Sequence, residues 1–160
     1  MDPKKTILEW LNDAYGMETG IVPILESQVE AAQDHPGIQA KIREHLGKTK
    51  SHAEMVKSEI SRLGGDVSAL KSGTAAASGW LQSVASGMAK DRLVKDMIGD
   101  YATEHFEIAA YTSLIAAAEE IGDQGVIDAC EKILADEEEM AAWLADQLPD
   151  VTQNFLRGKA

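Results

Sequence analysis

The stretch DRLVKDMIGDYATEHFEIAAYTSLIAAAEEI, residues 91–121, decides the fold class of this chain. Its apolar residues recur every three or four positions, which is the period of an amphipathic α-helix. The side chains predicted to face inward share this spacing and are Val94, Met97, Ile98, Tyr101, Glu104, Ile108, Tyr111 and Ile115. The stretch therefore predicts one long helix with a buried face.

Three further segments show the same spacing, at about residues 4–33, 36–63 and 124–147. None shows the sustained alternation of a strand. Gly122 and Asp123 predict a sharp end to the third helix and a cap for the fourth. Pro23 predicts a kink or bulge just after Glu18 in the first helix. Pro149 predicts the end of the fourth helix, which leaves residues 148–160 as a tail.

The connections between these helices are short, long and short. The long one, residues 64–90, is rich in Gly and Ser and predicts a short extra helix around Trp80. A connection of this length can return along the bundle. We therefore predict an all-α fold, a ferritin-like antiparallel four-helix bundle with one long crossover between helices two and three.

Composition narrows the classes of function. The 160 residues suit a single domain, and the formal net charge of −12 argues against nucleic acid or an anionic membrane as partner. The single cysteine, Cys130, excludes an intramolecular disulfide and a cysteine-based metal cluster. Without a secretion signal or an 18-residue apolar run, we expect a cytoplasmic protein.

The most informative residues are polar side chains on stripes that should be apolar. Glu18, His52, Glu104 and Glu137 each fall on the inward stripe of a different helix, and Glu107 lies one turn after Glu104. A single such Glu usually reaches solvent at the edge of a stripe. All of these residues, however, lie about thirteen to sixteen residues into their helices, so an antiparallel bundle brings them to one layer. Carboxylates gathered there predict a bound cation, Fe or Mn first, with Zn or Mg as alternatives.

The pattern known for a carboxylate-bridged metal pair is one Glu on each of two helices and Glu-x-x-His on each of the others. Here Thr49-x-x-His52 lacks the Glu, and Glu137-x-x-Met140 lacks the His. The spacing leaves open two metals, one metal, or a decayed site. We expect Thr49, Tyr101 and Tyr111 to hydrogen-bond the ligands from a second layer.

The remaining candidates have ordinary structural interpretations. We expect His45 to be a partly buried structural residue, His105 to lie at the surface, and His35 to cap a helix or face solvent. Cys130 and Met140 are expected in the core. The side chains of Glu138 and Glu139 are expected to be solvated.

Four stretches of the chain resemble the bacterial ferritin-like proteins of the YciE/YciF type, and more closely those of the YciE branch. They are LEWLNDAYGMETG (8–20), IREHLGKTKSH (42–52), YATEHFEIAAYTSLIAAAEEIGD (101–123) and ILADEEEMAAWLADQLP (133–149). The resemblance implies a ferritin-like bundle, a dinuclear metal site, a role in bacterial stress and a homodimer. It also implies that Glu18, Glu104, Glu107 and Glu137 are metal ligands, and it supports His52 less firmly. The chain departs from these relatives at Gly47-Lys48, and at Thr19-Gly20 with Pro23.

Together these observations predict a metal-binding stress protein, with ferrous-iron oxidation or O₂- or peroxide-linked redox chemistry if it is an enzyme. The alternative is a non-enzymatic helical scaffold or interaction protein with a degenerate site. Removal of the metal would discriminate between them, because only a true site needs a cation to offset its like charges.

Overall fold

The computed structural model describes residues 2–67 and 90–158, and its four long helices confirm the all-α prediction. The helices are α1 (Pro3–Ala31), α2 (Pro36–Arg62), α3 (Arg92–Ile121) and α4 (Gln124–Leu156). No strand occurs within the two described ranges. The short helix predicted around Trp80 lies outside the described residues.

The turn between α3 and α4 follows the chemistry of its residues. Gly122 ends α3 with a φ of 68°, a left-handed conformation that glycine adopts without steric cost. Asp123 then caps α4, because its carboxylate accepts a hydrogen bond from the Val126 backbone N–H at 3.2 Å. This tight turn lets α4 fold back against α3.

The prediction that α4 ends near residue 147 is wrong. Helix α4 continues through Pro149 to Leu156, so most of the expected tail is helical. A proline inside a helix removes one backbone hydrogen bond, but Val151 beyond it is buried in one apolar cluster with Leu144 and with Met97 of α3. Apolar packing after the proline therefore offsets the local defect. Helix α1 is likewise continuous through Pro23.

The helices pack in two pairs, α1 with α2 and α3 with α4. Contacts also join α1 to α3 and α2 to α4. Glu18 meets Tyr111 and Gln28 meets Asp100, so α1 and α3 are antiparallel. The contacts of Lys41 with Glu139 and of Arg62 with Asp123 give the same orientation for α2 and α4. Helices α2 and α3 are consequently parallel, as the predicted long crossover requires.

The inward face of α3 agrees only in part with the predicted one. Ile98 is 53% exposed, whereas Leu114 and Ala118 are buried. The buried side of α3 includes Met97, Glu104 and Tyr111 from the predicted stripe but extends to a more polar face, and its residues are Asp96, Met97, Gly99, Asp100, Thr103, Glu104, Glu107, Tyr111, Leu114 and Ala118. Of the other residues predicted to face inward, Val94, Tyr101, Ile108 and Ile115 are only partly buried. A stripe this polar cannot be found by searching for apolar residues.

Two apolar clusters form the core. The larger cluster draws Ile7, Leu11, Ile60 and Ile133 from three helices, and the smaller one contains Met97, Met140, Leu144 and Val151. As expected, Cys130 and Met140 are buried, and burial raises the pKa of the Cys130 thiol to about 12. No helix within the described ranges has the length and apolar character to cross a membrane.

Candidate metal centre

Six buried acidic and imidazole side chains gather in the middle of the bundle. They come from all four helices, are at most 2% exposed, and are Glu18, His45, His52, Glu104, Glu107 and Glu137. Each lies on the core-facing stripe of a long helix, so packing of its apolar neighbours holds it in place. Buried ionisable groups at this density are costly unless something neutralises them.

The first group of three joins Glu18, His52 and Glu137, whose donor atoms all lie within 4.8 Å of one another. His52 Nδ1 lies 2.8 Å from Glu137 Oε1 and 3.7 Å from Glu18 Oε2. Despite the short distance, His52 Nδ1 and Glu137 Oε1 lack hydrogen-bond geometry. Two unpartnered donor atoms this close together are compatible with a metal ion between the three side chains.

The second group joins His45, Glu104 and Glu137 by the same criterion. His45 Nε2 lies 3.1 Å from Glu104 Oε1 and 3.7 Å from Glu137 Oε2. Glu137 thus belongs to both groups, and it offers Oε1 to one and Oε2 to the other. A carboxylate placed in this way can bridge two metal ions.

Several buried donor atoms in this centre have no hydrogen-bond partner in the described part of the chain. They are Glu18 Oε2, His52 Nδ1, Glu104 Oε2 and both carboxylate oxygens of Glu137. Buried polar atoms are seldom left unpaired, and each one costs free energy. One or two cations would satisfy all five atoms at once, so the residues fit a metal.

Asp136 fixes the orientation of His52. Its Oδ2 lies 3.0 Å from His52 Nε2, and its Oδ1 lies 2.9 Å from the Lys48 ammonium. When Nε2 carries the proton and donates it to Asp136, Nδ1 keeps its lone pair for a metal. Tyr111 plays the equivalent part for Glu18, because its hydroxyl donates to Glu18 Oε1 at 2.6 Å.

The charges of the centre shift the pKa values of its members. Burial raises the pKa of Glu104 well above its usual range, and the charge of Glu137 adds to the effect. Burial also dominates the raised pKa of Glu18 and of Glu107. For His52, burial opposes the charged form, but Glu137 and Glu18 outweigh it and raise the pKa to about 10. Burial instead lowers the pKa of His45. Without a metal, the raised pKa values favour the protonated forms of Glu18, Glu104 and Glu107 and the imidazolium form of His52.

The structure brings together most of the residues predicted for the site. Glu18, His52, Glu104 and Glu137 lie in the two groups. Glu107 is buried one turn from Glu104, but it belongs to neither group.

Of the residues predicted for a second layer, Tyr111 contacts a candidate ligand. The Thr49 hydroxyl donates instead to the backbone carbonyl of His45 at 3.1 Å. Tyr101 packs edge-on against His105, with ring centroids 4.5 Å apart. Within the described ranges, its hydroxyl forms no hydrogen bond to the carboxylates of the centre.

Sequence reasoning missed the roles of His45 and Asp136. His45 is a candidate ligand and not only a structural residue, and its signal was present, since His45, Thr49 and His52 follow one another at four- and three-residue spacing. Asp136 gave no periodic signal, because it lies beside the stripe of α4 and is partly exposed.

The acidic side chains after Glu137 are exposed, as expected, but one of them is not free. Glu139 accepts from Lys41 at 2.7 Å and from Lys48 at 2.9 Å. These contacts tie α2 to α4 on the outside of the centre. His105 is exposed, and His35 stands at the start of α2 without capping it through its side chain.

Three solved structures are similar in fold to this chain. A protein from Xanthomonas campestris pv. campestris has 27% sequence identity, with 99% of each chain covered and a TM-score of 0.82. The Escherichia coli stress protein YciF has 17% identity, 96% and 98% coverage of this chain and its own, and a TM-score of 0.78. A bacterioferritin from Desulfovibrio desulfuricans, described with a diiron site, has 22% identity, 95% and 83% coverage, and a TM-score of 0.78. The predicted ferritin-like fold is confirmed.

A family profile described as "Domain of unknown function (DUF892)" matches residues 2–157, which is nearly the whole chain. The chain belongs to this family, and its four helices form a ferritin-like bundle.

Proposed function

We propose that this protein binds two divalent metal ions in its core, with iron as the first candidate and Mn or Zn as alternatives. The observation that carries the proposal is the set of five unpartnered donor atoms around Glu137. Glu18 and His52 would hold one ion, His45 and Glu104 the other, and Glu137 would bridge them. Glu107, which is buried one turn after Glu104, is the remaining carboxylate that could complete the coordination from α3.

The composition of the donor set supports a pair of ions. The general pattern for such a centre needs four Glu and two His. This core contains Glu18, Glu104, Glu107 and Glu137, together with His45 and His52. Carboxylates with some imidazole suit Fe or Mn better than softer metals. The diiron site described for the D. desulfuricans bacterioferritin supports iron by analogy of fold.

If iron is the native metal, it would supply one-electron chemistry with O₂ or peroxide. An oxidoreductase or ferroxidase-like reaction is therefore the activity that we infer. The description of the E. coli neighbour as a stress protein supports a role in bacterial stress.

The test is metal content, measured by elemental analysis of protein purified without chelator and by anaerobic Fe(II) titration. We expect two ions per chain in the parent and a loss of both in Glu137→Gln. The matched control is Glu138→Gln, because Glu138 is the exposed neighbour of Glu137 on the same helix. No binding of Fe, Mn or Zn by the parent would refute the proposal and favour the helical scaffold.

We also propose a homodimer. Trp10 is 41% exposed and Phe106 is 62% exposed, and they flank a groove of about 280 Å³ between α1 and α3. Large apolar side chains grouped in this way are typical of an interface. Sedimentation equilibrium should give a dimer for the parent and a monomer for Phe106→Glu, whereas a monomeric parent would refute the proposal.

A further inference from the structure

A second set of buried polar side chains lies between α1 and α3, on the side of the centre toward the start of α3. Gln28, Asp96 and Asp100 are at most 6% exposed. The Gln28 amide Nε2 donates to Asp100 Oδ1 at 2.8 Å. The other oxygens of this pair, Gln28 Oε1 and Asp100 Oδ2, have no partner within the described residues. Neither oxygen has any part in the centre described above.

A small cavity adjoins this set. It has a volume of about 40 Å³, and Gln28, Asp96 and Arg92 line it on one side, with the remainder of its lining formed by the apolar residues Ala31, Ile42, Leu93 and Met97. That space is enough for one water molecule or one ion. Asp96 Oδ2 accepts from Arg92 Nε at 3.3 Å, and Arg92 also donates to Ser27 Oγ at 2.9 Å. Arg92 is partly exposed, so it forms the outer wall of the cavity.

A row of three carboxylates on α3 lies between the cavity and the centre. Asp96, Asp100 and Glu104 follow one another at four-residue spacing on one helix. This spacing corresponds to about 6 Å of rise for each step. The three carboxylates therefore run from the cavity to a candidate ligand.

The other approaches to the centre are less suited to a cation. On the α2–α4 side, the ammonium group of Lys48 lies 2.9 Å from both Asp136 and Glu139. A cation entering there would have to displace Lys48 from these two carboxylates, whereas on the α3 side it would displace Arg92 from Asp96 alone. The groove between Trp10 and Phe106 has buried apolar Met17 and Leu114 in its wall. The set around Gln28, in contrast, offers two buried oxygens, Gln28 Oε1 and Asp100 Oδ2, that have no hydrogen-bond partner among the described residues.

We propose that Gln28, Asp96 and Asp100 form an outer site for a hard divalent cation, from which the metal passes along α3 to the centre. Amide and carboxylate oxygens are the donors that such ions prefer. An entering cation would replace the Arg92 guanidinium as the partner of Asp96. Binding at this site stands on its own, whereas its role in supplying the centre rests on the proposed function.

The test of binding uses Mn²⁺ and ¹⁵N-labelled protein in which Glu104→Gln and Glu137→Gln together disable the centre. We expect paramagnetic broadening that is strongest at the backbone amides of Gln28 and Asp100. Adding Asp100→Asn should abolish it, while Asp13→Asn, at an exposed aspartate on α1, should leave it unchanged. Asp100→Asn retains the oxygen that accepts from Gln28, and circular dichroism checks that it folds. If the amides of Gln28 and Asp100 do not broaden, the outer site does not exist.

The test of the supply role is stopped-flow Co²⁺ uptake by chelator-treated protein with an intact centre. Asp100→Asn should slow uptake about tenfold, since a guiding charge is lost, with the final stoichiometry unchanged. Asp13→Asn should load at the parent rate. Equal rates for Asp100→Asn and the parent would refute the supply role. A parent that binds no metal at the centre, but still shows broadening near Gln28, would refute the proposed function and leave the outer site standing.

Discussion

Replacing Asp100 with Asn should make the metal-free protein more stable at neutral pH and should flatten the pH dependence of its stability. Asp100 is buried, and burial raises its pKa from 3.8 to about 7. The charge of Asp96 acts in the same direction, whereas the hydrogen bond from Gln28 and the nearby His45 oppose it. Asn has nearly the same shape and retains an oxygen for Gln28, so the substitution removes mainly the charge.

The sign follows from proton linkage. A carboxyl group with a raised pKa in the folded state holds its proton more tightly there than in the unfolded state. Folding is therefore penalised as the pH rises from the unfolded pKa of 3.8 to the folded pKa of about 7. The penalty grows by about 1.4 kcal/mol per pH unit, which amounts to about 2 kcal/mol between about pH 5.5 and pH 7. Asn at position 100 has no carboxyl proton to lose, so its folding does not carry this free-energy penalty.

The assay is urea unfolding of chelator-treated protein at about pH 5.5 and pH 7.5, with the same protein concentration in every sample. The parent should lose about 2 kcal/mol more unfolding free energy between these pH values than Asp100→Asn does. Asp13→Asn, which changes an exposed aspartate, should give a curve parallel to that of the parent. If the difference between the parent and Asp100→Asn is the same at both pH values, the buried charge does not govern the stability.

Three further predictions concern the centre and the helices around it. Metal added at pH 7.5 should raise the melting temperature of the parent and not that of Glu137→Gln, because only the folded parent binds it. Equal increases in the melting temperatures of the two proteins would place the metal elsewhere. Tyr111→Phe should destabilise the metal-free protein by about 1–3 kcal/mol in urea unfolding, since Glu18 Oε1 loses its donor, and no change would show that water replaces it. Pro149→Ala should stabilise the protein by about 2 kcal/mol, because α4 regains a backbone hydrogen bond within a helix; a loss of stability would mean that the proline ring itself packs favourably.

The sequence predicted where the helices lie along the chain better than which side of each helix is buried. Helical spacing in four segments, with one long connection, was enough for the bundle and its crossover. On α3, however, the buried stripe contains Asp96, Asp100, Thr103 and Glu107, and apolar residues such as Ile98 lie outside it. Apolar spacing finds a core only where the core is apolar. The polar interior that defines the candidate site therefore also displaced the predicted face.

The extent of α4 shows a second limit of local patterns. Pro149 is a sound stop signal when a helix has no further packing. Here Val151 is buried beyond it, in an apolar cluster that also contains Met97 of α3. Pro149 favours the end of the helix, whereas the apolar Val151 favours its continuation. Which of the two prevails depends on whether another part of the bundle covers Val151. That is a property of the tertiary structure.

The apparent degeneracy of the metal pattern is explained by where the second imidazole lies. The general pattern places one His on each of two helices, and Met140 on α4 stands where the second is expected. In this bundle α2 carries both His45 and His52, seven residues apart on one face, and Glu137 reaches each of them through a different oxygen. The core thus keeps four Glu and two His while changing which helix supplies them. The loss of a motif at one position therefore does not argue for the loss of a metal, because coordination depends on the donors that meet in space.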